Sequence, residues 1–107
     1  MDNLFTLPAD PPPGEHVTVL AQSAGFTVER IISRGDITPE GSWYDQDHDE
    51  WVIVLQGSGT VEDDQGRVSV LGPGDALFIP ARRRHRVTAT SAEPPCLWLA
   101  VHGTPHP

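Results

Sequence analysis

The sequence predicts an all-β domain, a small antiparallel barrel or sandwich of about eight short strands. Three observations predict it. Ten glycines and eleven prolines among 107 residues set turn signals roughly every 8–12 residues, the spacing of short strands joined by tight turns. The segments between those signals alternate, or run continuously, in β-branched and aliphatic residues. No window carries an apolar stripe at the helical period with caps at its ends.

Taken in order, the chain opens with "LPADPPPGE". Consecutive prolines lack amide donors and favour extended, polyproline-like backbone, so residues 1–15 read as an N-terminal arm. "HVTVLAQS" alternates, with Val17, Val19 and Ala21 on one face. "FTVERIIS" follows Gly25. "EWVIVLQG" is nearly continuous in hydrophobicity, as a central strand is. "SGTVEDD" and "RVSVL" flank the turn-forming "DDQG" and pair as a hairpin. "LGPGD" is a further sharp turn. "ALFIP" is stopped by Pro80, "HRVTATS" alternates, "EPP" breaks the chain and "CLWLAVH" is the last strand. The domain therefore spans 16–103, with a tail at 104–107.

Length sets one domain, and 37% hydrophobic residues fill one modest core. A net charge of −8 repels phosphate backbones and anionic lipid, which argues against nucleic-acid and membrane-surface partners. No apolar run is long enough to span a bilayer, and the N-terminus lacks a basic region followed by an apolar one. Cys96 is the only cysteine. It forms no internal disulfide and no cysteine-based zinc site, and reads as a small core residue beside Leu97. These absences point to the cytoplasm.

Chemistry concentrates in "WYDQDHDEWVIVLQG" (43–57) and "GPGDALFIPARRRHRV" (72–87). On a strand, residues two apart share a face. If Glu50 points inward, so do Val52 and Val54, and an early strand start adds His48, Gln46 and Tyr44. That face is a polar mouth above an apolar floor, with Asp45, Asp47 and Asp49 on the other side. In the second segment, Pro80 ends a strand and His85 opens the next. Imidazole with carboxylate suits Zn²⁺, Fe²⁺, Mn²⁺, Ni²⁺ or Co²⁺. The run Arg82–Arg83–Arg84 admits two readings: a solvated loop balancing nearby acids, or a clamp for an anionic ligand led by Arg83. Trp51 and His102 are further candidates for contact with a ligand.

These two segments resemble the cupin superfamily, small β-barrels that hold a metal in the barrel. Glu50 and Gly57 match the end of its first motif, G-x5-H-x-H-x(3,4)-E-x6-G. Gly74, Pro80 and His85 match its second, G-x5-P-x-G-x2-H-x3-N. The resemblance covers about residues 37–102 and implies a double-stranded β-helix, or jelly roll. It carries over Glu50 and His85 as metal ligands. In place of the His-x-His pair stand Tyr44 and Gln46, or Trp43 and Asp45 if one more residue is inserted. Arg82 replaces a glycine, and Ala89 the final asparagine. The expected metal set is thus His85, Glu50, His48 and Gln46, with Tyr44, Arg83, Trp51 and His102 around a small polar or anionic ligand. The resemblance implies a homodimer, and isomerase, epimerase or dioxygenase chemistry if the protein is an enzyme. A metal-free binding module is the alternative that the missing histidine pair favours.

Overall fold

Each predicted strand segment forms a strand in the structure, a computed structural model that describes residues 3–9 and 13–104. The strands are β1 (His16–Gln22), β2 (Phe26–Ser33), β3 (Asp49–Gln56), β4 (Gly59–Asp63), β5 (Val68–Leu71), β6 (Ala76–Ile79), β7 (His85–Thr90) and β8 (Cys96–Gly103). None of the described residues is helical, so among them no helix is long and apolar enough to cross a membrane. The β4–β5 turn closes on Asp63, whose Oδ1 accepts from the amides of Gln65 and Arg67 at 2.9 and 3.0 Å.

The strands form two antiparallel sheets. One has the order β1-β2-β8-β3-β6, the other β5-β4-β7. Strand parity selects what lies between them. On β3 the inward set begins with Glu50, Val52 and Val54, paired across β8 with His102, Ala100 and Trp98. The register slip between β3 and β8 falls after Val54, so the predicted parity holds from Glu50 to Val54. Val52, Val54, Val61, Leu71, Ile79, Cys96, Trp98 and Ala100 form the buried core. Toward the end of the sandwich where Glu50 and His102 sit, polar side chains take over the inward positions. There the sheets enclose a cavity instead of a packed interior.

Two glycines at the β3–β4 turn permit close approach of neighbouring elements. A Cβ on Gly59 would overlap the ring of Trp98, which is itself 4% exposed. Gly57 has φ +75°, and a Cβ there would run into Ser91 and the Pro95 carbonyl. Glycine alone fits both the backbone conformation and the close approach. Outside the β2–β8 face, Arg30 donates to the carbonyl oxygens of Leu4 and Thr6 at 3.4 and 2.9 Å, which ties down residues 3–9 of the arm.

Candidate functional site

Three backbone-directed contacts bring the two sequence segments together. Tyr44 and His85 exchange both amide hydrogen bonds, at 2.7 and 3.1 Å. The amide of Arg82 donates to the Gln46 carbonyl at 2.7 Å, and that of Ala81 to Asp49 Oδ1 at 2.8 Å. Arg82 holds φ +67°, a left-handed conformation that glycine adopts freely and other residues adopt under strain. It stands where the matched motif has glycine.

The result is a cavity of about 260 Å³ at one end of the sandwich. Its walls carry Tyr44, Gln46, Glu50, His85 and His102, all candidates from the sequence, above Val52, Val61, Ile79, Val87 and Trp98. Glu50 and His85 are 8% and 6% exposed, and Glu50 Oε1 lies 3.7 Å from His85 Nε2. His85 Nδ1 is 2.9 Å from the Arg83 carbonyl. A carbonyl only accepts, so Nδ1 carries a proton. Nε2 is then the atom free to take or give one, and it faces Glu50. The Tyr44 ring stacks on His85 with centroids 5.4 Å apart. Burial and the nearby Glu15 carboxylate push the Tyr44 phenol above its ordinary range; a hydrogen bond with Thr38 opposes this and Glu50 adds to it. Tyr44 is therefore a neutral hydroxyl here.

Three expected site residues stand elsewhere. A bend at residues 47–48 breaks the early strand that would have carried His48 inward. Its Nε2 instead meets His102 Nδ1 at 3.0 Å, and its Nδ1 meets the exposed Asp47 at 3.1 Å. His102 in turn donates from Nε2 to Glu29 Oε1 at 2.9 Å. Trp51 has the opposite parity to Glu50 and is 40% exposed on the outer face. Arg83 does not line the cavity; its guanidinium reaches Asp63 at 3.6 Å. The neighbouring arginines behave alike. Arg82 pairs with Asp45 at 3.3 Å and Arg86 with Glu62 at 3.3 Å, while Arg86 and Arg84 lie over the Trp43 ring. Trp43 and Asp45 are thus occupied by arginines, and Tyr44 and Gln46 are the pair at the cavity.

Two carboxylates at the site were not among the sequence candidates. Glu29 shares inward parity with Ile31, so a charged residue in the apolar "FTVERIIS" was the available signal. Glu15, the last residue of the arm, had none. It stays exposed at the rim, but its carboxylate accepts from Ser33 Oγ at 3.0 Å, and Ser33 Oγ accepts from Trp98 Nε1 at 3.2 Å. Burial of that end raises the Glu15 pKa; the Ser33 bond opposes the rise and Asp36 adds to it.

A family model for the cupin domain matches residues 31–102. The chain belongs to the cupin family. Among solved structures it is similar to a protein from Ralstonia eutropha JMP134 described as a "putative mannose-6-phosphate isomerase", at 43% identity over 98% of each chain, with TM-score 0.89. KdgF from Halomonas sp. shares the fold at 24% identity over 91% of this chain and 86% of that one, TM-score 0.73. So does a cupin superfamily protein from Desulfitobacterium hafniense DCB-2, at 21% identity over 90% and 83%, TM-score 0.74. No curated protein matches the chain.

Cupins commonly hold a metal, which needs a converging set of donor side chains. Only Glu50 and His85 of the expected ionisable donors converge in this cupin. Among the described residues no three His, Cys, Asp or Glu side chains gather as a metal group. Gln46 and the neutral Tyr44 add weak oxygen donors. Protein metal sites of the nitrogen and oxygen type use three or four strong donors, and these residues fall short of that.

Proposed function

We propose that this cupin binds a small hydroxylated ligand in the cavity and that Glu50 and His85 move a proton on it without a resident metal. The observation that carries the reading is the buried pair, a carboxylate and an imidazole nitrogen 3.7 Å apart that both border the cavity. A general base and a general acid must both reach one bound molecule, and these two side chains border the same cavity. Glu50, ionised, takes a proton from a carbon beside a carbonyl. His85, protonated on Nε2, gives one to the carbonyl oxygen. Glu50 then returns the proton to the former carbonyl carbon while His85 Nε2 takes the proton of the adjacent hydroxyl, which becomes the new carbonyl; both groups end as they began and an aldose–ketose interconversion is complete. The name carried by the Ralstonia protein, 43% identical, supports this reaction class.

The test is wash-in of solvent deuterium at the carbon next to the carbonyl of aldohexoses, followed by NMR. Wild type should exchange, and Glu50→Gln and His85→Ala should each lose about 100-fold or more, the usual size of an acid–base contribution. Exchange that survives both substitutions contradicts the proposal. Elemental analysis of protein purified without an affinity tag should find metal well below one per chain. A full equivalent that disappears in His85→Ala would restore the metal reading.

A further inference from the structure

We infer that the cavity sorts ligands by charge: it admits an uncharged or amino-bearing molecule and rejects one whose buried part is phosphorylated or otherwise anionic. This rests on the reading of the cavity as a binding site and names its ligand class. Three carboxylates, Glu15, Glu29 and Glu50, line it. The chain has no lysine, and among the described residues no arginine borders the cavity. The four arginines nearest in sequence to His85 are held on Asp45, Asp63, Glu62 and the Trp43 ring. The cations available inside are two imidazoles, and each already faces a carboxylate: His85 faces Glu50 and His102 faces Glu29. Even with both imidazoles charged, the lining carries more negative than positive charge. Glu50, 8% exposed, lines the cavity, and among the described residues its side chain has only the 3.7 Å approach of His85 Nε2, so it is open to a donor from the ligand. Anions in such surroundings lose their hydration and gain no counter-charge. Hydroxyl and ammonium groups donate to the same oxygens. The phosphate of a sugar phosphate has no partner here.

Three probes of similar shape separate charge from fit: benzylamine, benzyl alcohol and benzoate, each with a ring to lie on Val52 and Trp98. Binding is read at pH 7.5 from the Trp98 indole and His85 imidazole resonances. Benzylamine should bind about tenfold or more tighter than benzoate, with the alcohol between them, the difference expected for one reversed charge near partly shielded carboxylates. Glu15→Gln, and independently Glu29→Gln, should narrow the amine-to-benzoate ratio several-fold and leave the alcohol in place. A hexose should likewise outbind its 6-phosphate. Benzoate binding as tightly as benzylamine, failure of all three probes to shift these resonances, or a ratio unmoved in both variants would overturn the inference. The probes do not react, so this selectivity can fail while deuterium wash-in survives, and the reverse.

Discussion

The arginine turn and the cavity behind it are adjacent in sequence and opposite in construction. In residues 82–86 the guanidinium groups of Arg82, Arg83 and Arg86 turn out to Asp45, Asp63 and Glu62. His85, in the midst of them, turns in to Glu50. The turn looks functional because it is dense in charge, yet its charges are satisfied locally by ion pairs that range from exposed to partly buried, and the exposed ones contribute little. The cavity has few charges, but two of them, Glu50 and His85, are buried and only loosely paired at 3.7 Å, which is where side-chain chemistry differs from that in water. Parity along the strand, not density along the chain, decides which residues belong to the site.

The largest expected contrast is chemical. Glu50→Gln should lower exchange by about 100-fold, whereas Arg83→Ala should leave it within about twofold, because a surface pair remote from the ligand supplies no acid or base. Exchange that depends equally on Arg83 would dissolve the distinction between inside and outside.

The next effect is on stability. Gly59→Ala puts a methyl group into the ring of Trp98 and should destabilise by about 1–3 kcal/mol, as overpacking of a filled interior does. Thermal unfolding measures it, and the ligand resonances of Trp98 should shift with it. An unchanged melting temperature would mean that the Trp98 wall is loose.

Cys96 tests the depth of the interior. It is fully buried, and burial, with the Glu15 charge adding to it, pushes its thiol up to about 12 from an ordinary 9.0. A raised acid is neutral in the native state while the unfolded thiol ionises. Its contribution to stability is therefore complete below pH 9 and is lost as pH climbs from about 9 toward 12. Native protein at pH 8 should resist a thiol reagent until it unfolds. Rapid labelling would show that the core opens locally.

The smallest effect is on the turn itself. Arg82→Gly removes the strain at φ +67° and should gain up to about 1 kcal/mol, less the small loss of an exposed pair with Asp45. Its cavity binding should match wild type.

How much of this was legible follows from the same contrast. All eight strands could be read, because turn residues and alternation are local properties, and the register of β3 followed from the period of two. The meeting of Glu50 with His85 followed from the two matched motifs. His48 could not be placed, because the bend at 47–48 gives up strand geometry one residue short of it, and His102 then captures it by a hydrogen bond. Glu15 was hidden for a different reason: its place in the site depends on Ser33, eighteen residues away, and on the Trp98 indole behind that hydroxyl. Trp51 lies on the outer face because its parity is opposite to that of Glu50.

The most direct measurement is a map of chemical-shift changes over the backbone and side chains as an aldohexose is added. The largest changes should fall on the imidazole of His85, the indole of Trp98 and the methyl groups of Val52 and Val87, and should vanish in Glu50→Gln. Changes centred instead on the amides of 82–84 or on the outward ring of Trp51 would contradict the assignment of function to the cavity.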